Sequence, residues 1–124
     1  MLRHAQEFLA AARSNTGAGR PAVAFDEARH AAEVAAKALH LKATGTDFGK
    51  GHAVAGPLNA LGLLPAQVPE RKWVRFFQEH TRASYGYFED FTDAEVHNAI
   101  TWATVMLQAA ESYPDFAFHP PRTD

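Results

Sequence analysis

The sequence predicts an all-α protein, an up-and-down bundle of four to five helices. Three observations carry that expectation. Apolar residues recur at helical spacing in segment after segment, no segment alternates with the period of two that a half-buried strand needs, and Thr92-Asp93-Ala94-Glu95 has the spacing of a helix-opening capping box.

Each element has its own signal. Leu2, Ala5, Leu9 and Ala12, with Phe8 beside them, predict a first helix over about residues 2–14. Ser14 to Pro21 is rich in turn formers and reads as a connection, with Pro21 suited to the first turn of the next helix, where its missing N–H is not needed. From Ala22 to about Ala43 the chain is alanine-rich, with Phe25, Ala28, Ala32, Ala35 and Leu39 in one stripe, and Gly45 is placed to cap the end. A shorter helix is expected over His52–Leu64, kinked or divided by Gly56-Pro57. Trp73, Phe77, His80 and Ser84 share a face of a further helix. The last helix runs from the capping box to Ser112 through Val96, Ile100, Ala103, Leu107 and Ala110, and Tyr113-Pro114 stops it. One domain over 1–114 followed by an irregular tail over 115–124 is the expected organisation.

Bulk composition excludes several classes. With 47% hydrophobic and 21% charged residues the chain has the apolar content that a folded core requires. It has no cysteine, hence no disulfide framework and no thiolate metal site, and a cytoplasmic location is the expectation. Charge appears too early at Arg3 for a signal peptide, and no apolar run approaches the roughly 18 residues of a membrane span. A net charge of −2 argues against a broad basic face for nucleic acid. The charge is unevenly placed, however. No Lys or Arg lies between Arg82 and Arg122, whereas Arg71, Lys72, Arg75 and Arg82 are concentrated just before that acidic stretch.

Several constellations in the chain bear on chemistry. Gly45-Thr46-Asp47-Phe48-Gly49-Lys50-Gly51 has three residues between its first two spaced glycines and Gly51 after Lys50, where a phosphate-binding P-loop needs four residues and then Ser or Thr. Glu27-Ala28-Arg29-His30 has the Glu-x-x-His spacing of a di-iron ligand pair, but a second copy is required and none exists, so a helix-surface pair is the expectation. The seven histidines show no tight ligand spacing, and no metal or cofactor is expected. Arg71, Arg75, Gln78 and Arg82 recur at intervals of four, three and four and line one face of the predicted helix. Arginine grips phosphate in bidentate fashion, and Tyr85 or Tyr87 could stack on a base. The alternative for the same stripe is a solvated or protein-facing surface, which leaves a structural interaction module open.

The order of these features resembles the HEPN domain family across nearly the whole chain. The first helix, Arg3 to Arg13, is followed by Ala28-Arg29-His30-Ala31-Ala32-Glu33-Val34-Ala35-Ala36-Lys37-Ala38-Leu39, similar to the family's Ala-x-x-x-Ala-Glu-x-x-x-Lys-Ala second helix. His52 opens a Leu-spaced helix, and Thr81-Arg82 with Tyr85 is similar to the family's Thr/Ala-Arg-Tyr-Pro element. The resemblance implies a bundle that dimerises and two kinds of function. One is an accessory role beside a minimal nucleotidyltransferase in a toxin-antitoxin-like system, with nucleotide or RNA binding. The other is RNA cleavage through Arg, four to six residues, then His. Arg82 has no such histidine. Arg75 and His80 satisfy the spacing, but Phe76 stands where a polar residue is usual, and five positions on a continuous helix turn two side chains about 140° apart. The expectation is therefore a binding protein with anion contacts at Arg71, Arg75, Arg82 and Tyr85, and the alternative is a ribonuclease using Arg75 and His80.

Overall fold

The computed structural model describes residues 2–47, 54–68 and 92–114. Among these residues there are four helices and no strand: α1 (Leu2–Gly17), α2 (Pro21–Thr44), α3 (Ala55–Ala60) and α4 (Asp93–Ser112). This is the all-α helical bundle expected. The predicted helix carrying Trp73 and His80, and the tail over 115–124, lie outside the described residues.

The centre of the arrangement is α2. It packs along both α1 and α4, which also touch each other, while α3 makes a smaller contact with it. Of its 24 residues only Val23 and Leu41 are exposed. A helix enclosed on so many sides can sit this close to its neighbours only if its side chains are short, since interaxial distance follows the residues at the contact. Alanine supplies that: Ala22, Ala24, Ala28, Ala31, Ala32, Ala35 and Ala36 are all at most 1% exposed. Larger side chains fill the space that remains. Phe25 and Leu39 of α2 join Leu9 of α1, Leu58 of α3, and Val96, Met106 and Leu107 of α4 in one core cluster.

Local signals account for the boundaries. Pro21 opens α2, and Gly45 ends it in the left-handed region at φ 74°, with its N–H donating to Leu41 O at 2.7 Å. An L side chain rarely adopts that conformation, so glycine is the residue the stop requires. At the start of α4, Thr92 Oγ1 accepts from the Glu95 N–H at 3.2 Å and the Glu95 carboxylate accepts from the Thr92 N–H at 3.1 Å, so the capping box is complete.

Two boundaries differ from the sequence expectation. α1 continues to Gly17 rather than stopping near residue 14. The turn-forming residues there stay helical by bonding backward, Asn15 Nδ2 to Ala11 O at 3.1 Å and Thr16 Oγ1 to Ala12 O at 2.9 Å. Only Ala18, Gly19 and Arg20 separate α1 from α2, a tight antiparallel hairpin. In the third element Gly56-Pro57 neither kinks nor divides the helix. Pro57 falls in the first turn of α3, where the N–H groups have no intrahelical partner, so its missing donor costs nothing. The helix then ends at Ala60 rather than Leu64, because Gly62 turns the chain at φ 71° and the Leu63 N–H reaches back to Leu58 O at 2.9 Å.

The core and the cap should separate cleanly in a urea titration. Leu39→Ala, which removes a side chain only 1% exposed from the central helix, should lower stability by about 2–5 kcal/mol. Thr92→Ala should cost about 1 kcal/mol, since it removes one capping bond at an exposed helix end.

Candidate functional site

Every residue that the sequence nominated for anion binding or catalysis, Arg71, Arg75, Arg82 and Tyr85 together with His80, lies outside the described residues. Within them, polar chemistry is concentrated on α2.

Helical periodicity places Asp26, Arg29, His30 and Glu33 on one side of α2, because residues three and four apart are neighbours on a helix surface. Arg29 is the hub. Its side chain is 5% exposed, and each of its three nitrogens is engaged: Nε donates to Asp26 Oδ1 at 3.2 Å, Nη1 to Glu33 Oε2 at 3.3 Å, and Nη2 to His30 Nε2 at 2.9 Å. Guanidinium has donors only, so His30 Nε2 accepts in this contact and its ring proton sits on Nδ1. The Phe8 ring of α1 stacks on the imidazole with centroids 5.3 Å apart and planes inclined by 22°. A buried guanidinium is tolerated only when paired and hydrogen-bonded, and the two carboxylates supply both.

The Glu27–His30 pair is not formed as a pair. Glu27 Oε1 accepts from Asn15 Nδ2, fastening the end of α1 to the start of α2, while His30 turns to Arg29 and lies 3.7 Å from Asp26 Oδ2. Among the described residues no three His, Asp or Glu side chains are placed to hold a metal ion.

At the opposite end of α2 a second polar contact works between helices. Lys42 Nζ donates to Ala110 O at 2.8 Å and to Tyr113 O at 3.2 Å. These carbonyls lie at the C-terminal end of α4, Ala110 in its last turn and Tyr113 at its C-cap, where backbone acceptors lack intrahelical donors and the helix dipole is negative. The ammonium thus closes α4 and makes α2 and α4 finish at the same end of the bundle. Beside it, Thr44 Oγ1 donates to His40 O at 2.8 Å, and His40 Nδ1 bonds Thr46 O at 2.9 Å, holding the chain as it leaves α2.

Arg29 was not nominated from the sequence. The spacing of opposite charges at 26, 29 and 33 was legible, but such a row usually lies on a solvated face, and burial is a tertiary property. Each of the three nitrogens has a partner on α2, so the cluster braces successive turns of the central helix.

The architecture and this cluster together define an all-α domain organised around one alanine-rich helix. A family model described as the HEPN domain matches residues 1–113, and the chain belongs to the HEPN family. No curated protein and no solved structure matches it. No helix among the described residues is long and apolar enough to cross a membrane.

Removing the hub should be costly in a way that an exposed pair is not. Arg29→Ala removes the guanidinium that both Asp26 and Glu33 contact and should lower unfolding stability by about 2–4 kcal/mol. Arg3→Ala breaks an Arg3–Glu7 pair whose side chains are 89% and 65% exposed, and should stay within about 0.5 kcal/mol of the parent in the same titration.

Proposed function

We propose that the protein is a HEPN-type binding component rather than a catalyst, a homodimer that takes a nucleotide or RNA and works beside a minimal nucleotidyltransferase in a toxin-antitoxin-like two-component system. The observation that carries this reading is the spacing of Arg71, Arg75 and Arg82, three guanidiniums at helical intervals within the span that the family model matches. Their role is charge and bidentate hydrogen bonding to phosphate, with Tyr85 as a stacking surface. Arg71, Lys72, Arg75 and Arg82 are crowded together and no Lys or Arg follows in the 39 residues before Arg122, a local concentration that suits a discrete phosphate site better than a broad nucleic-acid face.

A second reading has its own observation. Arg75 and His80 stand at the spacing of the family's ribonuclease motif, and a histidine is the side chain that exchanges a proton near neutral pH. Phe76 in place of a polar residue counts against it.

Binding to a short single-stranded RNA, followed by fluorescence anisotropy, tests the preferred reading. Arg82→Ala should weaken binding at least about tenfold and lower the salt dependence by about 0.7 in the log–log slope, with the urea midpoint unchanged. A fall in stability with no specific loss of binding would make Arg82 structural. Incubation with mixed RNA in metal-free buffer tests the second reading. The RNA should remain intact with both the parent and His80→Ala, and cleavage by the parent that the variant lacks would make Arg75 and His80 a catalytic pair.

A further inference from the structure

Although α2 is enclosed on most of its circumference, one row of it stays partly open. Val23, Glu27, His30, Val34, Lys37 and Leu41 follow one another at intervals of four, three, four, three and four. At about 100° per residue they fall within a strip roughly 80° wide and about 27 Å long. Val23 and Leu41, at its two ends, are 39% and 36% exposed, and the His30 side chain is 41% exposed; the other three are half-buried.

A row that alternates between three and four residues is the pattern by which two helices pack along a common seam. The chemistry of this row says which helix it fits. Reversed about its midpoint at Ala32, the row is complementary to itself: Val23 falls opposite Leu41, Glu27 opposite Lys37, and His30 opposite Val34. Apolar ends meet apolar ends and each acid meets a base. Among the described residues Lys37 makes no ion pair, and Glu27 has no basic partner, its Oε1 being held by the Asn15 amide. A parallel alignment lacks this match, since it sets Glu27 against Glu27 and Lys37 against Lys37, and like charges in register are repulsive.

We infer that this row of α2 is the homodimer surface, packing antiparallel against the same row of a second copy across a two-fold axis level with position 32 and passing between His30 and Val34. A self-complementary patch is what a two-fold interface requires, because each contact between residues i and j is made twice. Glu27 and Lys37 of one copy then meet Lys37 and Glu27 of the second, and the two Val23–Leu41 contacts close the ends. The inference deepens the homodimer reading given above and rests on it.

The chain has no cysteine, so single thiols can report the register. Val23→Cys and Leu41→Cys proteins, prepared separately, are treated with a short bismaleimide alone and as an equimolar mixture, and sedimentation of the parent gives its oligomeric state. Crosslinked dimer in the mixture well above that in either protein alone is the expected result. Efficient crosslinking of Val23→Cys with itself would overturn the antiparallel seam. So would a parent that sediments as a dimer with no crosslink in the mixture, which would leave the dimer reading standing on another surface, whereas a monomeric parent would overturn both. The charge pair is tested independently: Lys37→Glu should raise the dimer dissociation constant at least about tenfold, and adding Glu27→Lys should restore most of the loss. Failure of the double variant to recover, with both proteins folded, would remove the pair from the interface.

Discussion

The enclosure of α2 is the constraint on which the rest of the described structure depends. A helix of 24 residues flanked by α1 and α4 has little solvent to turn to along those flanks, so each enclosed position must either be small enough to admit a neighbour or carry its own compensation. The alanines meet the first condition, and the larger apolar residues, Phe25 and Leu39, appear where the neighbours leave room. The polar residues meet the second. Arg29 is buried with Asp26, Glu33 and His30 gathered about it, and Lys42 spends its charge on the carbonyls that α4 leaves open. The same constraint orders the neighbours: Asn15 ties α1 to one end of α2, and Lys42 ties α4 to the other.

How much of this was legible in the sequence depended on whether the deciding interaction was local. The capping box at Thr92 and Glu95, the proline at position 21 and the glycine at position 45 act within a few residues, and each marked a boundary that the structure keeps. Signals that act by omission were less reliable. Ser14 to Gly17 looked like a loop because such residues compete with the helix for hydrogen bonds, yet Asn15 and Thr16 direct those bonds back along the helix. Gly56-Pro57 looked like a break because the cost of proline depends on its position within the helix, which composition alone does not fix. The burial of Arg29 was not legible at all, since an identical charge row on a peripheral helix would be wet.

The same division governs function. Family membership was readable from the order of short motifs, and the match over residues 1–113 bears it out. The arginines nominated for phosphate rest on their spacing, while the described helices reveal how the scaffold is built. Charge is used in two distinct ways along the chain: on α2 the Arg29 guanidinium is held by Asp26 and Glu33 and serves the fold, whereas the proposed anion contacts Arg71, Arg75 and Arg82 are repeated in one sign.

The Lys42 clasp has a consequence for synthesis. Its acceptors, Ala110 and Tyr113, lie 68 and 71 residues further along the chain, at the end of the helix that covers one flank of α2. During translation the α1–α2 hairpin is complete long before α4 leaves the ribosome, and at about 5–20 residues per second the uncovered alanine flank waits for several seconds. In that interval the nascent chain presents an apolar helix face of low charge, the kind of surface that chaperones bind. The final turn of α4 is therefore both the last part of the described core to arrive and the part that completes it.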